Sequence, residues 1–95
     1  MEIITIKNLI QLAKSGHYPF FKESEVNALL KGSGYEERDL KIKVKPLVKE
    51  FRRYRTFERK KLFLQSLSLE NKRIFINHLY QQSQVLNENK AIRYN

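Results

Sequence analysis

Lys45, Lys49, Arg52, Arg53 and Arg55, followed by Arg59, Lys60 and Lys61, stand within a short run of chain whose only acids are Glu50 and Glu58. Side chains of these types at this spacing hold anions. A guanidinium fork meets two oxygens of a phosphate or carboxylate at once, and a lysine ammonium adds a point charge. Widening the window to residues 41–61 gives ten bases against two acids, a local excess of +8 in a chain whose net charge is +9. Charge carried only for solubility is interspersed in sign, because interspersion limits self-repulsion; a concentration of one sign is relieved by a bound anion.

The plain alternative is a solvated helix face, with lysine and arginine stems covering apolar neighbours. The scarcity of acids, the choice of arginine at positions 52, 53 and 55, and the lack of an acid spaced to neutralise the cluster favour anion binding. Nucleic acid, DNA or RNA, is the polyanion that best matches a basic helical stripe. Phe57 is the better candidate for stacking on a base, since Tyr54 falls on the apolar side. An acidic protein surface docking a regulatory or adaptor module is the alternative partner. A lipid surface ranks third, because Leu47 and Phe51 are taken by the core.

Other chemistry has less to stand on. His17 and His78 have no partner at metal-ligand spacing, and both read as packed or hydrogen-bonded histidines. The Gly-Ser-Gly of residues 32–34 lacks the Lys-Ser/Thr of a phosphate-binding loop and reads as helix punctuation. Asp39 is the only aspartate, the chain has no cysteine, and the adjacent Glu36 and Glu37 do not face each other on a helix. No catalytic, cofactor-binding or metal site is therefore assigned, and a non-enzymatic domain is expected.

The elements that must position the basic residues read as helices. Thr5 caps a first helix carrying Ile6, Leu9, Ile10 and Ala13, with Gly16 as a left-handed stop. Pro19 then breaks the pattern in HYPFF, whose aromatics fold back on the core. Ser24 is expected to cap a second helix with Val26, Leu29 and Leu30, ending at Gly32 and Gly34. Ser33 and Glu36 have the form of a capping box opening a third helix to about Lys43. The segment LKIKVKP fits a strand or a helix, and helix is preferred because a lone strand would have no partner. Pro46 is expected at the first position of a fourth helix, where its missing N–H is not needed.

On that helix Lys45, Lys49, Arg52, Arg53, Arg59 and Lys60 fall on one side, and Leu47, Phe51, Tyr54 and Leu62 opposite. Glu58 lands among the apolar residues, and Thr56 is a plausible cap, so a break near Arg55 is anticipated. Ser68 caps a last helix from Leu69 to about Asn87, with Ile74, Phe75, His78, Leu79, Val85 and Leu86 along its stripe. That stripe is no wider than one core requires, so it gives no support to a dimer through this helix, and the oligomeric state is left open. A helix-turn-helix over residues 24–44 is disfavoured: Glu36, Glu37 and Asp39 would present the wrong sign to phosphates.

The whole is expected to be all-α, a small single-domain bundle of four to five helices over residues 1–88 with a frayed tail at 89–95. Apolar residues make up 41% of the 95 and charged residues 31%, a mixture suited to one modest core. No apolar run spans a bilayer and the N-terminus lacks the pattern of a secretory signal, so a cytoplasmic location is expected.

Overall fold

A computed structural model describes residues 5–31 and 34–93, with side chains as far as Val85. The described chain is all-helical: α1 (Ile6–Lys14), α2 (Glu23–Leu30), α3 (Glu37–Arg53), α4 (Phe57–Ser66) and α5 (Leu69–Arg93). No helix among the described residues is long and apolar enough to cross a membrane. The last helix continues past Asn87 to Arg93, and positions 94 and 95 lie outside the described residues.

Three helix starts follow one device, a hydroxyl accepting from the N–H three residues on. Thr5 Oγ1 accepts from Asn8 N–H (3.1 Å), Thr56 Oγ1 from Arg59 N–H (3.2 Å) and Ser68 Oγ from Asn71 N–H (3.1 Å). Gly16 closes α1 in the left-handed region at φ 80°. Ser24 does not cap α2. That helix begins two residues earlier than a Ser24 cap would give, with Lys22 at its cap position and Glu23 and Glu25 in its first turn, where carboxylates are favoured by the partial positive charge of unpaired N–H groups. Ser33 lies outside the described residues; Glu36 occupies the cap position of α3 and makes no side-chain cap bond.

The largest departure from the sequence reading is Pro46. It lies inside α3 rather than opening a separate helix, so the expected third and fourth helices are one element of 17 residues. An interior proline leaves the carbonyl four residues back, here that of Ile42, without its helical donor. Pro46 and Ile42 are both exposed, which puts that carbonyl on the side where water can serve it. The buried row Leu40, Val44, Leu47 and Phe51 runs unbroken past the proline on the opposite side, and its burial favours one continuous helix over a cap.

The core is organised around α5. Ile74, Phe75, Ile76, Asn77 and Leu79 are all buried, more of the circumference than a one-sided stripe provides, because α1, α2 and α3 all pack on α5. Phe51 of α3 sits between Phe20 of the aromatic loop (6.0 Å between ring centres) and Phe75 of α5 (5.7 Å). Polar groups on α5 fix the connections. Asn77 Nδ2 donates to the Leu29 carbonyl (3.2 Å), Gln81 Nε2 to the Tyr35 carbonyl (3.2 Å), and the Tyr35 hydroxyl to Glu70 (2.9 Å). These bonds anchor the end of α2 and the entry to α3, and so set where α3 presents its outer face.

Candidate functional site

The outer face of α3 carries a ladder of cations. Lys41, Lys45, Lys49 and Arg52 follow at intervals of four, four and three, which places them within about 80° of arc and over about 16 Å of helix. Arg38 falls on the same arc one turn earlier and is exposed. All four of the ladder line an open hollow of about 480 Å³ between α3 and α5, with Val44 and Val48 below and His78 across it. Burial, followed by the Lys41 charge, pushes the His78 pKa below its ordinary 6.5, so the imidazole enters this hollow as a neutral group at pH 7.

A second hollow, of about 350 Å³, lies at the α3–α4 corner and is lined by Arg53, Tyr54, Arg55, Thr56 and Arg59. The corner exists because the chain leaves the helix at Tyr54 and restarts at Phe57 under the Thr56 cap. That restart brings Arg59, in the first turn of α4, to the same hollow as Arg53 and Arg55. Arg52 lines the hollow along α3 and Arg53 the hollow at the corner; the two are consecutive in sequence but point about 100° apart on the helix, and the hollows share no lining residue.

The charges are compensated only in part. Arg53 pairs with Glu50 (3.2 Å), and Lys41 with Glu37 (3.4 Å), correcting the expectation that no acid is spaced to neutralise the cluster. Both are exposed pairs within one helix, of the kind that contributes a few tenths of a kcal/mol (about 0.3–0.5). Lys45, Lys49, Arg52, Arg55, Arg59 and Lys61 are exposed, and none of the three ion pairs among the described residues involves them.

Lys60 is not part of this surface. It is 2% exposed, its Nζ donates to the Phe51 carbonyl (2.9 Å) and lies 4.0 Å from the Phe51 ring centre. Burial holds its pKa below the ordinary 10.5. The reason is the restart at Thr56: a continuous helix would bury Leu62, but with α4 rephased Lys60 and Leu64 point inward and Leu62 is 65% exposed. Glu58, expected on the apolar side, is exposed for the same reason. Lys61 is exposed but lines neither hollow.

Of the two aromatic candidates, Tyr54 is half-buried against Phe63 (5.4 Å), while Phe57 packs on Phe20 (4.8 Å) and remains 47% exposed. His17 lies in the aromatic loop beside a separate hollow of about 560 Å³ that includes Tyr18, Glu23 and Tyr80. Among the described residues no cluster of three or more His, Asp or Glu side chains could hold a metal ion.

Comparison with protein-family models, curated proteins and solved structures finds no match to this chain.

Three residues on or beside the basic face, Arg38, Lys41 and His78, were missed by sequence reasoning. Lys41 could have been found by stepping back four residues from Lys45. His78 had no such signal, since only the packing of α5 beside α3 brings it to the hollow.

Proposed function

We propose that this chain is a non-catalytic nucleic-acid-binding domain that holds the phosphate backbone along the outer face of α3 and at the α3–α4 corner. One arrangement carries the reading: the Lys41, Lys45, Lys49 and Arg52 ladder along α3 and the arginine corner at its end, with Glu37 and Glu50 as the only acids paired to them among the described residues. A ladder on one face of a rigid helix follows a phosphate backbone without reading base edges, so the expected binding is salt-sensitive and weakly sequence-dependent. Phe57, exposed at the start of α4, supplies a ring on which a base could stack.

The test is a titration of random single- and double-stranded oligonucleotides at low and moderate salt, comparing the native chain with Arg52→Glu/Arg53→Glu. The proposal expects binding that weakens steeply with salt and is lost in the double variant. Absence of binding at low salt rejects it. Recovery of a protein partner from nuclease-treated lysate, with no oligonucleotide binding, would favour an acidic protein surface instead.

A further inference from the structure

Resting on the nucleic-acid reading above, we infer that the α3–α4 corner is an end-recognition site, taking the terminal phosphomonoester of a nucleic acid strand while the α3 ladder takes the internal phosphodiesters. The two hollows differ in charge and in form. Along α3 the cations are spaced singly up a helix, which suits a chain of monoanionic phosphodiesters. At the corner three arginines from two helices and their connection, Arg53, Arg55 and Arg59, border one hollow of about 350 Å³.

Glu50 pairs with Arg53, whereas Arg55 and Arg59 have no carboxylate partner among the described residues. The carboxylate of Glu58, exposed in the first turn of α4, does not line the hollow. Two uncompensated guanidinium groups match one dianion. A terminal phosphomonoester carries close to two negative charges at pH 7 and three acceptor oxygens for bidentate forks. The Thr56 hydroxyl accepts from the Arg59 N–H, which leaves its own proton to donate to a third oxygen. The occupant is assigned to nucleic acid rather than a phosphopeptide because a ladder that begins at Arg52, the residue before Arg53, continues as far as Lys41 and gives the attached chain further cationic sites.

The test measures fluorescence anisotropy with one single-stranded oligonucleotide sequence carrying a 5′-phosphate, a 3′-phosphate or hydroxyls at both ends. The native chain should bind one phosphorylated form about tenfold more tightly than the unphosphorylated form, the preferred end being whichever shows the gain. Arg55→Gln/Arg59→Gln should abolish that gain, so that the three strands bind alike, whereas Lys45→Gln/Lys49→Gln should weaken all three strands and keep it. Equal affinity of the native chain for the three strands would overturn end recognition and leave backbone binding intact. No binding to any strand would overturn both. A phosphoserine peptide binding as tightly as the phosphorylated strand would overturn the assignment of the occupant.

Discussion

Lys60 Nζ sits 2.9 Å from the carbonyl oxygen of Phe51 and 4.0 Å from the centre of its ring, tying the last turn of α3 to the end of the first turn of α4. A base drawn from the most basic run of the chain is thereby used inside the fold, and the corner that gathers Arg53, Arg55 and Arg59 is held by it. Lys60→Met should remove the bond and leave the corner less firmly held. The expected loss is about 1–3 kcal/mol of stability, read as a fall in Tm, with oligonucleotide affinity within about twofold of native at temperatures where the variant is folded. A large loss of affinity without a fall in Tm would place Lys60 on the binding face instead.

The same residue gives a pH signature. Its folded pKa lies below the ordinary 10.5 because burial disfavours the charged form. The folded chain therefore releases this proton at lower pH than the unfolded chain does. Lys60 contributes least to stability below its folded pKa, and its contribution rises as pH climbs from there towards the unfolded value. Denaturant unfolding followed as pH rises towards 10.5 should show the native chain gaining stability relative to Lys60→Met. A constant difference between the two would contradict it.

Pro46→Ala tests the continuity of α3. In one helix the substitution restores a donor to the Ile42 carbonyl and removes the steric conflict of an interior proline, so stability should rise by about 1–3 kcal/mol. Were Pro46 the first residue of a separate helix, no gain would appear. Thermal melts followed by far-UV circular dichroism distinguish the two.

His78 lies among Lys41, Lys45, Lys49 and Arg52, with a pKa lowered first by burial and then by Lys41. Its stabilising contribution is complete above the unfolded value of about 6.5 and declines as pH falls from there towards the folded pKa, because the unfolded chain protonates first. His78→Gln should flatten that decline. A bound phosphate favours the imidazolium, so an NMR titration of His78 should move to higher pH when an oligonucleotide is added. No movement on saturation would separate this hollow from the binding surface.

Much of the fold was legible because local signals agree with it. The hydroxyl caps at Thr5, Thr56 and Ser68, the left-handed Gly16 and the apolar faces of α1 and α3 all need only neighbours in sequence to be read. The failures have tertiary causes. Local preference favours Pro46 as a helix start, whereas the buried row from Leu40 to Phe51 outweighs one lost hydrogen bond. Lysine is rarely buried, so sequence alone assigns Lys60 to the surface, and the carbonyl that receives it belongs to another helix. The candidate face was legible in composition and only partly in geometry. Its division into a ladder and a corner follows from the break at Thr56, and the entry of His78 follows from the packing of α5 beside α3.

The central claim, that the α3 ladder holds a phosphate backbone, is tested most directly by the salt dependence of duplex oligonucleotide affinity. With about five phosphates neutralised, the native chain should give a log–log slope near −4.5, and Lys45→Gln/Lys49→Gln/Arg52→Gln should reduce it to about −1.8. A slope left unchanged by the triple variant would contradict the account.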